Sequence, residues 1–253
     1  MTKIKFFFCF SHNKKAQILK PKILKKFKQS NVKKANFIIV CGGDGFMLAM
    51  IKKYYSYNKP FFGINCGNFG YLLNDIKSFN LNHEIKKTKK NFINPLIANI
   101  KTFKKKNKNM LAINEFSFLR QSKQTCCIQV KKNNKVLLKK LIGDGLIIST
   151  PIGSTAYNYS AGGPILNINS KKLSVIPVNP FQSNFRKGKV FSNSTKFLVN
   201  NLRKNRPVSI SGDNNEVRNL KIANIRYEKK IKICILLKKK KKFLKKNKIK
   251  LTL

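Results

Sequence analysis

The chain has 253 residues, of which 42% are hydrophobic, so it can bury the core of one large or two modest domains. Lys and Arg number 55 against eight Asp and Glu, which gives a formal net charge of +47. The apolar content excludes a disordered protein, since such chains lack the hydrophobic residues needed for a core.

A positive charge of this size suggests a polyanion such as nucleic acid as a partner. The lysines are spread over the whole chain, however, and Lys greatly outnumbers Arg, the residue that favours bidentate recognition of phosphates and bases. We therefore interpret the charge as solvated surface and expect no specific nucleic-acid partner.

Cysteines, histidines and apolar runs bear on metal sites and location. The six cysteines form no C-x-x-C pair, and most lie in strand-like runs, which is typical of reduced thiols in a cytoplasmic protein. His12 and His83 are far apart in the sequence and indicate no zinc site. No apolar run approaches the ~18 residues of a membrane span, so we expect a cytoplasmic protein without a membrane partner.

Strand and helix patterns alternate through residues 1–95. An apolar run at 4–10 predicts a first strand, and apolar residues at every fourth position over 19–27 predict a helix. The run 37–41 leads into glycines that open a second helix, and another strand is predicted at 60–64. This alternation predicts an α/β domain with a parallel, Rossmann-like sheet.

The pattern changes near Asn94-Pro95, after which short apolar runs alternate with turn signals. Asn133-Asn134 is a plausible hairpin turn between two such runs. We therefore predict an all-β, sandwich-like domain over 96–237, followed by a lysine-rich tail over 238–253.

Gly42-Gly43-Asp44-Gly45, between a strand and a helix, is the strongest local signal. Glycines at a helix start let phosphate oxygens approach free backbone N–H groups. A carboxylate among phosphates is repelled by them, so Asp44 needs a chemical reason such as accepting a proton from a hydroxyl or binding Mg²⁺. A tight turn with Asp44 as the helix N-cap is the structural alternative.

Two further segments carry polar groups in apolar surroundings. Asn114-Glu115 interrupts an apolar run, so one of the two side chains faces the core unless the strand ends or bends there. The segment 143–164 contains Asp144, a run of small polar residues and Tyr157, whose ring is flat. We expect a loop here, followed by a helix that begins at Ser154 or Thr155.

The order and spacing of these segments, together with Gly63-Ile64-Asn65-Cys66-Gly67-Asn68-Phe69-Gly70-Tyr71-Leu72, resemble the NAD kinase family. The resemblance covers roughly residues 36 to 215, and 143–164 is its most specific part. It implies an α/β domain followed by a β-rich domain, NAD and ATP as substrates, a divalent metal such as Mg²⁺, and a homodimer or tetramer. It implies no protein side chain as a metal ligand.

The resemblance also implies roles for individual residues. Asp44 would be the general base and Gly42, Gly43 and Gly45 would bind the transferred phosphates. The residues implied to contact NAD are Asp44, Gly45, Tyr71, Asn114, Glu115, Asp144, Thr155, Ala156, Tyr157, Asn158, Tyr159, Ser160 and, more tentatively, Asn215.

The sequence also departs from the family pattern. Ile152 stands where a small hydroxyl residue is usual, and Gly212-Asp213-Asn214-Asn215 replaces an Asp-x-Gln segment. The segment 178–184 replaces one that typically carries a Pro-His pair. A lipid kinase with the same glycine motif and a basic nucleic-acid-binding protein are the alternatives, but neither accounts for the Asn-Glu pair and the segment 143–164.

Overall fold

The computed structural model describes residues 4–68, 70–76, 80–181 and 188–238. Two compact units make up the chain. The first contains residues 1–92 and 233–253, and the second contains residues 93–232.

The helices and strands occur in the following order. The first unit contains β1 (Phe6–Phe10), α1 (Lys14–Lys26), β2 (Phe37–Gly42), α2 (Asp44–Tyr54), β3 (Phe61–Asn65), α3 (Leu81–Lys86) and β4 (Thr88–Ile93), the last of which ends at the unit boundary. The second unit contains β5 (Leu96–Thr102), β6 (Asn107–Ala112), β7 (Glu115–Arg120), β8 (Cys126–Lys132), β9 (Lys135–Gly143), β10 (Gly145–Ser149), α4 (Tyr157–Ser160), β11 (Lys172–Val178), β12 (Lys189–Ser192), β13 (Phe197–Asn201), β14 (Val208–Gly212), β15 (Asn215–Val217) and β16 (Leu220–Tyr227). The chain then forms β17 (Ile233–Lys238), which belongs to the first unit.

The sheet of the first unit has the strand order β1-β2-β3-β17-β4. Strands β1, β2, β3 and β17 pair in parallel, in agreement with the predicted α/β fold. Because β1, β2 and β3 are parallel and adjacent, their carboxyl ends lie at one edge of the sheet. Phe10 pairs with Cys41, and Gly42 pairs with Asn65, so the glycine motif lies at that edge.

Strand β17 differs from the predicted domain division, which assigned residues up to 237 to the second domain. It pairs with β3, and buried Asn74 fixes it there by donating hydrogen bonds to the carbonyl oxygens of Leu236 (2.8 Å) and Gly63 (3.1 Å). Lys238 forms an ion pair with buried Glu84, and this hydrogen bond lowers the pKa of the Glu84 carboxyl. These contacts are distant in sequence, so the local pattern of 231–237 did not indicate them. The rest of the predicted tail lies outside the described residues.

The second unit consists of two six-stranded sheets whose assigned strand pairs are antiparallel. One sheet has the order β12-β11-β10-β7-β14-β15 and the other β6-β5-β16-β13-β8-β9. Side chains from both, including Phe116, Phe118 and Phe197, form one apolar core. This is the predicted all-β domain, and Asn133 and Asn134 form the predicted hairpin turn with positive φ angles of 46° and 67°.

Two other properties concern the cysteines and the helices. None of the six cysteines forms a disulfide, as expected from their spacing. No helix among the described residues is both long enough and apolar enough to cross a bilayer.

Candidate active site

The glycine loop, residues Gly42–Gly45, joins the end of β2 to the start of α2. Gly42 is required by packing, since a Cβ there would lie 2.7 Å from Cδ1 of Phe46 and 3.1 Å from Cβ of Ser11. A Cβ at Gly43 or Gly45 would meet no described atom within 4 Å, and neither glycine has a left-handed φ. Packing and backbone conformation therefore leave these two glycines unexplained. Open space beside the first N–H groups of an 11-residue helix is suited to a phosphate group.

Asp44 is the first residue of α2, and its carboxylate is fixed by two backbone donors. The N–H of Tyr71 donates to Oδ2 at 2.7 Å, and the N–H of Leu72 donates to Oδ1 at 3.0 Å. Gly43 occupies the cap position and no side chain caps the helix there, so the alternative role of Asp44 as N-cap is wrong. The two donors set the direction of the carboxylate and leave each oxygen a further lone pair.

The segment after β3 holds the glycine loop from the neighbouring strand. The N–H of Cys66 donates to the carbonyl of Gly42 at 2.9 Å. The Asn65 side chain accepts from the N–H of Gly67 and donates to Asp75, both at 3.0 Å. Phe69 of this motif lies outside the described residues.

In the second unit the predicted interruption at Asn114 is a bend, formed by Ile113 and Asn114 between β6 and β7. The Asp213 carboxylate accepts from both backbone N–H groups of this Asn114 bend, at 2.9 and 2.8 Å. Thr150 donates from its N–H to the carbonyl of Asn114 and from its hydroxyl to that of Ile113. A Cβ at Gly153 would lie 2.2 Å from the Asn114 carbonyl oxygen. The bend is thus held by two segments that are distant in sequence, one at Asp213 and one at residues 150–153.

Glu115 follows the bend as the first residue of β7. Its Oε2 atom is buried and has no hydrogen-bond partner among the described residues. Burial, and secondarily the charge of Asp213, raises the pKa of the Glu115 carboxyl to about 8. Burial without a hydrogen-bond partner favours the neutral form of this carboxyl and leaves Oε2 available to a ligand.

Asp144 lies between β9 and β10 in a cleft of about 560 Å³. Its carboxylate accepts from Nδ2 of Asn179 at 2.8 Å and from Nε of Arg120 at 2.5 Å. The hydrogen bond from Asn179, followed by that from Arg120, lowers the pKa of Asp144, so this acid is ionised. Tyr157 lines the same cleft, and burial raises the pKa of its hydroxyl, with Asp144 and Glu115 adding to the shift.

The polar loop, residues 150–160, differs from the predicted helix opening at Ser154 or Thr155. A short 3₁₀ turn covers Gly153–Thr155, and α4 begins only at Tyr157. Ala156 interrupts the helix with φ −97° and ψ −131°. The buried Ser154 hydroxyl donates to the Pro151 carbonyl at 2.7 Å and accepts from the N–H of Leu166 at 2.9 Å, which holds the loop in this shape.

The predicted contact residues of the polar loop are not equally available to a ligand. Tyr157 and Ser160 are exposed, and Thr155, Ala156 and Tyr159 are half-buried. Asn158 is fully buried. Its side chain donates to the carbonyls of Ser154 and Pro164 and accepts from the Ser174 hydroxyl. We therefore assign the Asn158 side chain a structural role in place of the predicted ligand contact.

Three residues outside the predicted set support the site. They are Asp213, which holds the Asn114 bend, and Arg120 and Asn179, which hold Asp144. Asn215, the tentative contact, is exposed on β15, two residues after Asp213. The scarcity of acids in this chain was the available signal for Asp213, since a carboxylate in a glycine-containing turn is unusual here.

Ile152, the departure from the family pattern, is buried within the polar loop. Among the described residues no group of three or more His, Cys, Asp or Glu side chains is arranged to hold a metal ion. The part of 178–184 from 182 onward lies outside those residues.

Comparison with known proteins identifies the class to which this fold and these motifs belong. Residues 113–225 match the family model described as "ATP-NAD kinase C-terminal domain". The NAD kinase of Hyphomonas neptunium is 34% identical over 221 residues, which cover 87% of each chain. The NAD kinase of Xanthomonas oryzae pv. oryzae is 32% identical over 219 residues, 85% of this chain and 84% of that protein.

Solved structures give the same fold. An NAD kinase from Archaeoglobus fulgidus in complex with ATP matches 93% of this chain and 94% of its own, with a TM-score of 0.72 and 22% identity. Yeast NADH kinase complexed with NADH matches 84% of this chain and 65% of its own, with a TM-score of 0.70 and 20% identity. The chain thus has the same fold as these two kinases.

The chain belongs to the NAD kinase family. The predicted resemblance is confirmed. The relatives give no support to a lipid kinase or a nucleic-acid-binding protein.

Proposed function

We propose that the protein is an NAD kinase, which transfers the terminal phosphoryl group of ATP to the 2′-hydroxyl of the adenosine ribose of NAD. The observation that carries this proposal is the Asp44 carboxylate, fixed by two backbone N–H groups at the start of α2 beside glycines that leave open space. Membership in the NAD kinase family supplies the substrate.

Phosphoryl transfer requires mainly alignment and charge neutralisation. In this proposal the N–H groups of the glycine loop bind the phosphates, and Asp44 accepts the proton of the attacking hydroxyl. The fixed direction of the Asp44 carboxylate supports the second role, since a positioned base needs a single orientation.

The proposed NAD contacts in the second unit are Asn114, Glu115, Asp144, and the polar-loop residues Thr155, Ala156, Tyr157, Tyr159 and Ser160. In the first unit they are Asp44, Gly45 and Tyr71. Asn215 is a secondary member of this set of proposed NAD contacts. The exposed ring of Tyr157 offers a face for stacking on a base.

Mg²⁺ is proposed to enter with ATP, because Mg²⁺ is commonly held by one or two carboxylates together with substrate phosphates. Asp44, beside the open space at Gly43 and Gly45, is the carboxylate that would share the ion with those phosphates. Bound there, Mg²⁺ would neutralise phosphate charge.

The proposal also includes a cytoplasmic location and assembly into a homodimer or tetramer. Light scattering of the purified protein tests the oligomeric state.

A coupled assay tests the function directly. Purified protein with NAD, ATP and Mg²⁺ is expected to form NADP, detected by an NADP-specific dehydrogenase. Diacylglycerol or sphingosine in place of NAD should not stimulate ATP consumption. Lipid phosphorylation without NADP formation would contradict the proposal.

Gly45→Ala is expected to separate stability from activity. Gly45 lies in α2 with open space beside it, so alanine should raise the unfolding free energy by roughly 0.5 kcal/mol through helix propensity. The new methyl group occupies the proposed phosphate space, and we expect the KM for ATP to rise about tenfold, as 1.4 kcal/mol of lost binding produces. Thermal unfolding and steady-state kinetics measure the two effects. A lower stability together with an unchanged KM for ATP would contradict the proposal that Gly45 leaves space for a phosphate.

Arg120→Met tests the role of Asp144. The variant removes one of the two donors that hold the Asp144 carboxylate, together with the hydrogen bond from Arg120 to the Ser122 carbonyl, and keeps only the unbranched stem of the side chain. We expect the KM for NAD to rise about threefold to tenfold with little change in kcat, since a charged hydrogen bond in a partly solvated site is lost. Arg120→Lys, which restores the charge, should recover part of the affinity. An equal fall in kcat and in kcat/KM would indicate a role in the chemical step instead.

A further inference from the structure

Glu115 is the acid that the structure leaves least compensated. Its Oε2 atom is buried without a hydrogen-bond partner, and no Lys or Arg among the described residues forms an ion pair with it, although the chain carries 55 such residues. The titratable groups that act on it are Asp213 from the turn between β14 and β15 and Tyr157 from α4. Neither supplies positive charge.

The two neighbouring acids differ in their surroundings. Asp213 accepts hydrogen bonds from the backbone N–H groups of Ile113 and Asn114. Glu115 has no donor at Oε2, and burying an unpaired carboxylate costs more free energy than burying the neutral acid. The charge of the neighbouring Asp213 adds to the cost of ionising Glu115. The raised pKa of Glu115, about 8, agrees with this geometry.

We propose that Glu115 carries a proton in the ligand-free protein and binds NAD as a neutral acid that donates a hydrogen bond, with Asp213 as the positioning residue that holds the Asn114 bend and retains that proton. This inference rests on the proposed NAD kinase function. It goes further by assigning a protonation state to Glu115 when NAD binds, and it adds Asp213, a residue outside the predicted site.

The phosphates of NAD increase the preference for the neutral acid. Each of the two phosphates carries a negative charge, and an ionised Glu115 beside Asp213 would add a further anion to the same region. NAD therefore binds best to the protonated form. Its affinity is constant below pH 7 and falls as pH rises through the pKa of Glu115, by about tenfold per pH unit once that group is ionised.

Isothermal titration calorimetry of NAD binding, without ATP, measures this dependence apart from catalysis. The wild-type protein is titrated at pH 6.5, 7, 8 and 9, in two buffers of different ionisation enthalpy at each pH. We expect no proton uptake at pH 6.5 and uptake approaching one proton per NAD at pH 9. Circular dichroism at each pH confirms that the fold is retained.

Three variants distinguish the protonated acid from a carboxylate. Glu115→Gln, which mimics the neutral acid, should bind NAD like the wild type at pH 6.5 and lose the fall in affinity at pH 9. Asp213→Asn should move the midpoint of that fall to lower pH, because removal of the neighbouring charge lowers the pKa of Glu115. Glu216→Gln, an exposed acid on β15, should keep the wild-type profile.

An NAD affinity that is the same from pH 6.5 to 9 would overturn the inference, as would a Glu115→Gln variant that binds weakly at pH 6.5. Either result with normal NADP formation leaves the proposed function intact. If the wild-type protein neither binds NAD nor forms NADP in the coupled assay, both the function and this inference are wrong.

Discussion

Asp44→Asn is expected to reduce NADP formation by orders of magnitude, at least about 10²-fold in kcat, while the protein stays folded. A positioned general base contributes about 10²–10⁴ to the rate, and the amide is far too weak a base to take the proton. The fixed orientation of the carboxylate makes compensation by a neighbour difficult, because both backbone donors aim at this one side chain.

The structural cost of the Asp44 variant is small and measurable. Asparagine keeps one oxygen acceptor and places an NH₂ group opposite the other backbone N–H, so we expect a loss of about 1–2 kcal/mol in unfolding free energy. Asp75→Asn is the matched control, since the exposed Asp75 side chain accepts a hydrogen bond from Asn65 and keeps an acceptor oxygen as asparagine. Near-normal turnover in Asp44→Asn with a normal Asp75→Asn would remove Asp44 from the chemistry.

The first half of the site was predictable because its signals are local. The run 37–41 followed directly by glycines predicts a strand, a turn and a helix, and all three occur at Phe37–Gly42 and Asp44–Tyr54. The parallel pairing of β1, β2 and β3 then follows from the alternation of strands and helices. A pattern of neighbours along the chain was enough to place Asp44 at the carboxyl edge of the sheet.

The supports of the site could not be predicted in this way. Asp213 contacts residues about one hundred positions earlier, and Asn179 contacts Asp144 across 35 positions. No periodicity connects such pairs. The same limit explains β17, whose apolar run fits either unit until the contact of Lys238 with Glu84 is known. The polar loop shows a different limit, because internal hydrogen bonds of Ser154 and Asn158 outweigh its helical pattern.

Gly153→Ala is expected to produce a large combined loss of stability and NAD affinity in the second unit. An alanine Cβ at this position would lie 2.2 Å from the oxygen, 2.4 Å from the carbon and 2.6 Å from the Cα of Asn114. These are backbone atoms, which cannot rotate away as a side chain can. The polar loop and the Asn114 bend must therefore separate, at a cost of about 1–3 kcal/mol or more.

This separation acts on both segments proposed to hold the dinucleotide. It breaks or lengthens the 2.9 Å hydrogen bond from the N–H of Thr150 to the carbonyl of Asn114, and it shifts Glu115 relative to Thr155. We expect the melting temperature to fall by about 2–4 °C for each kcal/mol lost, and the KM for NAD to rise at least about tenfold. Gly45→Ala is the matched control, because the same substitution there meets open space and should not lower the melting temperature. A Gly153→Ala protein with wild-type melting temperature and KM would show that this close approach does not constrain the site, and the rigidity assigned to the Asn114 bend would have to be given up.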